Sequence, residues 1–157
     1  MGRLKNLLVP LSCLILLNAV RGQQEITGPV TPEDLLLKLP EWGAVAAAYV
    51  PGPEAVDRLR AVSREVRVEV VLGTWCDDSK AHVSEFLKVL EVTDNPLIRA
   101  TYVGVPEDKT KRSPYVQGKD IVKIPTFIVS IDGAEKGRIV ENPDKTIEED
   151  LLAIIEK

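Results

Sequence analysis

The stretch GTWCDDSK, residues 73–80, decides how this sequence is interpreted. It follows the β-branched run Val66 to Leu72, whose composition is typical of a strand. From Ser79 to about Glu91, apolar residues recur at helical spacing, which predicts a helix with one buried face. Cys76 therefore lies at a turn that leads from a strand into a helix.

The segments around this turn predict one α/β domain. A chain of 157 residues, 45% of them hydrophobic, can bury one core. Three helical segments are predicted before the strand: one capped by Thr31, one over the alanine-rich run 42–49, and one from Pro53 to about Arg64.

The second half of the chain predicts a mixed sheet. The predicted elements are a strand over 97–105, a loop over 106–119 with room for one helical turn, a hairpin with strands over 126–131 and 136–140, and a closing helix capped by Thr146. Parallel strands joined by a helix and followed by an antiparallel hairpin indicate a central mixed β-sheet flanked by helices.

The first 22 residues have the pattern of a secretory signal peptide. Two basic residues precede an apolar run from Leu7 to Leu17, and small residues follow it. The run is short for a bilayer span of roughly 20 residues, although an uncleaved N-terminal anchor remains an alternative. We expect residues 1–22 to be a signal peptide, residues 23–64 to be an N-terminal helical extension, and the mature protein to reach the periplasm or the extracellular space without membrane attachment.

The charge balance disfavours nucleic-acid binding. Without residues 1–22, the chain has 17 basic residues against 24 acidic ones, a net charge of −7. Binding to phosphates relies on clustered Lys and Arg, and the basic cluster in residues 108–112 is interpreted as a solvated loop.

Export would leave a single cysteine. Cys13 lies within the predicted leader, so the mature chain keeps Cys76 alone and cannot close an internal disulfide. This is notable in a compartment that permits disulfides. The thiol is either a buried bystander, a dimer-forming thiol or a nucleophile.

The combined motifs resemble those of the thioredoxin family. They are Trp75-Cys76 at a strand-to-helix turn, residues 123–126 (KIPT) before the hairpin, and two glycines within the hairpin. The resemblance covers roughly residues 66–157, so residues 65–157 are interpreted as a thioredoxin-like domain. The sequence looks closest to exported bacterial thioredoxin-like proteins that carry Trp-Cys-x-Asp-Ser in place of Trp-Cys-x-x-Cys.

The resemblance implies a substrate-binding segment. In the family, the proline that matches Pro125 is cis and faces the reactive cysteine, whereas from sequence alone an X-Pro bond is usually trans. The residue that matches Ile124 pairs its backbone with an extended client peptide. Thr126 either places a hydroxyl beside the site or simply enters the strand as a β-former.

Two departures weaken the comparison with an ordinary disulfide reductase. Ser79 occupies the position of the resolving cysteine and cannot attack a mixed disulfide. Val70 stands where thioredoxins commonly keep a buried acid that serves the resolving thiol. Glu69 should point to the opposite side of the strand and is not a substitute for that acid.

The residues around Cys76 have opposing effects on the stability of its thiolate form. A helix N-terminus favours the thiolate, and Ser79 could donate a hydrogen bond to the sulfur, whereas Asp77 and Asp78 disfavour a further negative charge. The two aspartates also fit an ordinary preference for acids in a first helical turn. Trp75 either shields the thiol and contacts clients or packs internally, and its exposure discriminates between the two.

No cofactor is predicted. One cysteine and one histidine fall short of a metal-ligand set, and His82, the only histidine, is interpreted as a surface residue. A thiol peroxidase is disfavoured because Gly73, rather than threonine, stands three residues before Cys76.

The leading hypothesis is a monothiol thioredoxin-like thiol–disulfide oxidoreductase of the cell envelope. Cys76 would form mixed disulfides with client proteins that carry oxidised cysteines, and an external thiol reductant would release them. The rival hypothesis is a non-catalytic thioredoxin-fold module that binds peptides beside Pro125, because a fold does not by itself confer an activity.

Overall fold

The structure, a computed structural model, describes residues 25–157. The predicted signal peptide lies outside this range. The strands are β1 (Gly28–Val30), β2 (Val66–Leu72), β3 (Ile98–Gly104), β4 (Thr126–Ile131) and β5 (Ala134–Val140). The helices are α1 (Pro32–Lys38), α2 (Pro40–Ala48), α3 (Pro53–Arg60), α4 (Asp77–Thr93), α5 (Ser113–Val116) and α6 (Ile147–Ile155), and a 3₁₀ turn spans Lys109–Lys111.

The five strands form one mixed sheet in the order β1-β3-β2-β4-β5. Strands β2 and β3 are parallel, and helix α4 connects them. The other three pairings are antiparallel, including the hairpin of β4 and β5. The prediction of a central mixed sheet flanked by helices is therefore confirmed.

Local sequence signals set several element boundaries. The Thr31 hydroxyl accepts a hydrogen bond from the N–H of Asp34 and begins α1, and the Thr146 hydroxyl accepts one from Glu149 and begins α6. Helix α4 begins at Asp77, two residues earlier than predicted, which makes Cys76 its N-cap residue. Helix α3 ends at Arg60, before the predicted Arg64.

The expectation of a purely helical segment before residue 65 is wrong at one point. Strand β1 pairs antiparallel with β3, with Val30 opposite Tyr102, and so forms one edge of the sheet. Three residues are too few to show a strand periodicity, and the pairing depends on a partner more than 70 positions away.

The N-terminal helices contribute to the main hydrophobic core. Leu35, Trp42 and Leu59 are fully buried and belong to the same cluster as Val68 and Phe86 of the sheet and of α4. Residues 28–60 therefore pack as an integral layer of the structure, because their largest apolar side chains bury surface against the sheet and α4.

A second, smaller apolar cluster lies at the C-terminal end of β2. Its buried members are Val71, Val105 and Ile124, and the partly buried side chains packed against them are Trp75, Cys76, Tyr115, Val116 and Ile121. The cysteine thus lies beside a cluster that is separate from the main core. No helix within residues 25–157 is both long and apolar enough to cross a bilayer.

Candidate functional site

Cys76 stands at the N-terminus of helix α4 and is partly accessible. Its backbone N–H donates to the carbonyl of Gly73 at 3.0 Å, and its own carbonyl accepts from the N–H of Lys80. The side chain is half-buried and does not cap the helix. Cys76 is therefore the N-cap residue of α4 and directly precedes the first turn of that helix.

The peptide bond between Ile124 and Pro125 is cis, which confirms the expectation from the resemblance. The sulfur of Cys76 lies 3.9 Å from the carbonyl oxygen of Ile124. The backbone N–H of Ile124, in contrast, donates no hydrogen bond to any group within residues 25–157. The structure thus brings together the thiol and the segment that enters β4.

Ser79 is fully buried, and its hydroxyl accepts a hydrogen bond from the N–H of Gly73 at 3.1 Å. This bond holds the turn between β2 and α4 closed. Among the described residues, no hydrogen bond joins Ser79 to the sulfur of Cys76. The serine is therefore placed as a support of the turn that presents the thiol.

Gly73 occupies a position where a side chain would not fit. A Cβ atom there would come within 2.6 Å of Cδ1 of Ile124 and within 2.8 Å of the Trp75 ring. Such distances are well below van der Waals contact, so the absence of a side chain permits the close approach of these two residues.

The two aspartates after the cysteine differ in their surroundings. Asp77 is exposed and forms an ion pair with Lys80 at 2.7 Å. Asp78 is half-buried. Both lie in the first turn of α4, as their preference for helix N-termini predicts.

Trp75 is half-buried and is held at two points. Its indole N–H donates to the carbonyl of Val105 at 3.1 Å, and the guanidinium carbon of Arg112 lies 5.2 Å from the ring centroid. The latter distance is within the range of a cation–π interaction. Trp75 therefore has both an internal bond and an accessible part beside Cys76.

Arg112 contacts Trp75, although nothing in the sequence indicates this contact. Residues 108–112 were interpreted as a solvated loop, and Lys109 and Lys111 are indeed exposed. Arg112 instead is half-buried and contacts the Trp75 ring. The signal available in the sequence was only its membership of that basic cluster.

Thr126, Val70 and Glu69 make no hydrogen bond with the Cys76 sulfur among the described residues. The Thr126 hydroxyl donates to the carbonyl of Lys123 at 2.6 Å and closes the turn before β4. Val70 is fully buried, whereas Glu69 faces the other side of the sheet and pairs with Lys119. These positions agree with the predicted alternation of the strand.

His82 is more enclosed than the surface residue that the sequence suggested. Its side chain is 18% exposed, and its ring nitrogens lie 2.8 Å from a Glu85 oxygen and 3.0 Å from the Asn142 side-chain oxygen. It links α4 to the segment after β5. Within residues 25–157, no three histidine, cysteine or acidic side chains come together as a metal-ligand group.

Comparisons with known proteins identify structural relatives alone. No protein-family model matches this chain, and no curated protein matches it. It is similar to a protein of unknown function from Pseudomonas aeruginosa, with a TM-score of 0.57 and 21% identity over 75% of this chain and 85% of the other. It is also similar to an HIV epitope scaffold, with a TM-score of 0.58 and 22% identity over 75% of this chain and 86% of the scaffold. At this level of identity, the similarity shows a shared mixed α/β fold.

Proposed function

We propose that this chain is an exported, thioredoxin-fold thiol–disulfide oxidoreductase that uses the single thiol of Cys76. The observation that carries the proposal is the contact between the Cys76 sulfur, at a helix N-terminus, and Ile124, whose bond to Pro125 is cis. The mixed sheet, in which a helix joins the parallel pair and a hairpin follows, supports the thioredoxin fold.

The proposed reaction begins with attack by the Cys76 thiolate on one sulfur of a client disulfide. A bond forms between the Cys76 sulfur and that sulfur, the client S–S bond breaks, and the other client sulfur leaves as a thiolate. A small external thiol then attacks the mixed disulfide and expels Cys76 as a thiolate. In this second step the external thiol attacks the client sulfur and becomes joined to it, so that Cys76 is regenerated.

The position of Ser79 argues against efficient net reduction. A buried hydroxyl cannot expel a client by forming a disulfide, so the mixed disulfide persists until a thiol of the client itself or an outside thiol attacks it. Isomerisation, removal of small caps from client thiols and retention of clients fit this chemistry better.

Binding of the client is proposed to use the backbone beside the cysteine. The N–H of Ile124 has no partner within residues 25–157, and an extended chain can pair with such a group by strand addition. Trp75 supplies a partly accessible aromatic surface next to the thiol. The proposed clients are envelope proteins with oxidised cysteines, and the reductant is a small thiol in the periplasm or the extracellular space.

A peptide-binding module without turnover is the second candidate. The observation that favours it is the hydrogen bond between Ser79 and Gly73, since it gives this serine a structural role and leaves no resolving group in its place. In this case, the segment that includes Pro125 would bind clients and Cys76 would be incidental.

One experiment separates the two candidates. The chain and its Cys76→Ala variant are expressed with the leader in a bacterial envelope, thiols are blocked rapidly with acid and alkylating agent, and adducts are compared on non-reducing gels. We expect adducts that disappear on reduction and that are absent from the variant. Identical patterns, or no adducts from either chain, would refute the redox proposal. Binding of extended peptides by both chains, measured by calorimetry, would then support the binding module.

A further inference from the structure

The loop over residues 105–112 is fastened to the cysteine turn through one aromatic ring. The indole N–H of Trp75 donates to the carbonyl of Val105, and the guanidinium group of Arg112 covers the ring at 5.2 Å. The two contacts come from opposite ends of the same loop. The orientation of Trp75 is therefore set by that loop as well as by its own turn.

Arg112 is itself held in place. Its Nε donates to the carbonyl of Pro106 at 2.7 Å, and a terminal nitrogen donates to the carbonyl of Glu107 at 2.9 Å. A planar guanidinium group can make both bonds and still present its face to a ring. No ion pair of Arg112 within residues 25–157 competes with this arrangement, whereas Lys111 pairs with Asp108.

We infer that Arg112 is a positioning residue for client binding and that it acts through Trp75. This inference rests on the proposed function. Trp75 and Cys76 pack against the same small cluster that contains Ile124. A ring that is already fixed loses little conformational freedom when a client side chain packs on it, so the fixed ring favours capture of a peptide over capture of a small thiol compound.

The test compares two probes that carry the same leaving group. One is a short peptide of alternating valine and threonine with a central cysteine capped as a thiopyridyl disulfide. The other is N-acetylcysteine amide with the same cap. Attack by Cys76 joins its sulfur to the probe cysteine and releases thiopyridine, whose absorbance gives the rate. The ratio of the two rates measures the contribution of peptide binding.

Arg112→Met should lower this ratio by about 2- to 5-fold, the effect of one cation–π contact at a partly exposed site. Arg112→Lys keeps the charge, but a lysine cannot donate to both the Pro106 and the Glu107 carbonyls while its charge covers the ring. Its rate ratio should therefore fall between those of the wild type and Arg112→Met. Lys111→Met is the matched control because it removes the same charge from the neighbouring residue, which is exposed. Its ratio should equal that of the wild type.

Acrylamide quenching of tryptophan emission provides a separate readout. Trp42 is fully buried, so quenching reports mainly on Trp75, and it should increase in Arg112→Met but not in Lys111→Met. An unchanged ratio in Arg112→Met, with the wild type still preferring the peptide, would overturn this inference alone. If the wild type itself shows no preference for the peptide, both this inference and the proposed client binding are overturned. A purely structural role would instead lower the unfolding free energy and change both rates in parallel, which would also overturn the inference.

Discussion

The sulfur of Cys76 and the carbonyl oxygen of Ile124 lie 3.9 Å apart, although 48 positions separate the two residues in the chain. One is at the start of α4 and the other precedes β4, and strands β2 and β4 are neighbours in the sheet. The sheet pairing therefore brings the thiol and the Ile124–Pro125 segment together.

Gly73→Ala should destabilise the protein and disturb the site. The added methyl group would lie 2.6 Å from Ile124 and 2.8 Å from Trp75, and such overpacking typically costs about 1–3 kcal/mol. Gly43→Ala in helix α2 is the control, because its methyl group would meet only Leu36 at 3.7 Å and should stabilise the helix by about 0.5–1 kcal/mol. Urea unfolding of both variants measures the difference. A loss below about 0.5 kcal/mol for Gly73→Ala would show that the turn accommodates a side chain.

Ser79→Cys should create dithiol reductase activity. A thiol at this buried position, one helical turn after Cys76, could expel a bound client by forming a disulfide with Cys76. The measurement is reduction of insulin by the variant in the presence of dithiothreitol, compared with the wild type. Ser84→Cys is the control, since Ser84 is also buried on α4 but lies about two helical turns after Cys76, out of reach of its sulfur. A folded Ser79→Cys variant with no more activity than the control would contradict the prediction.

Tyr102→Phe should flatten the loss of stability at high pH. Burial, together with the charge of Glu33, raises the pKa of Tyr102 well above its ordinary value, which is roughly 10. Above that pH the unfolded chain loses the tyrosyl proton while the folded chain keeps it, so stability falls as pH rises by up to about 1.4 kcal/mol per pH unit for this group.

The Tyr102 hydroxyl is buried without a hydrogen-bond partner within the described residues, so its removal should change stability near pH 7 by less than about 1 kcal/mol. Urea unfolding at pH 8 and at pH 11 isolates the effect, because other titrating groups are common to both proteins. Parallel pH profiles for the wild type and Tyr102→Phe would refute the prediction.

Trp42→Ala should show that the N-terminal helices belong to one cooperative unit. The ring is 0% exposed and lies in the main core, so its removal should cost about 3–5 kcal/mol. Val50→Ala is the control, because Val50 is 87% exposed and should change stability by less than about 0.5 kcal/mol. Thermal or urea unfolding measures both. A small effect of Trp42→Ala, or a separate early transition, would mean that these helices unfold independently of the sheet.

The sequence predicted those features that depend on neighbouring residues. The β-branched run gave strand β2 with its observed limits, and the hydroxyls of Thr31 and Thr146 begin α1 and α6 as their cap positions indicate. These signals are local, because strand propensity and helix capping act within a few residues.

Features that depend on residues far apart in the chain could not be predicted from local sequence patterns, or were predicted only from the family resemblance. Strand β1 is defined by its pairing with β3, and the contact of Arg112 with Trp75 joins residues 37 positions apart. The cis bond at Pro125 was expected only from the resemblance. A hydrogen bond from Ser79 to the sulfur was one option that the sequence left open, and the structure shows its hydroxyl accepting from the N–H of Gly73 instead.

A buried serine at position 79, in place of a second thiol, also affects how many clients each copy of the protein can bind. Under the proposed mechanism, each copy of the protein holds at most one client at a time, and a small thiol frees any client that does not release itself. The number of clients bound at any moment would follow the abundance of this protein, and their dwell time would follow the local concentration of small thiols. A cell could then tune client storage through expression level and release through thiol export.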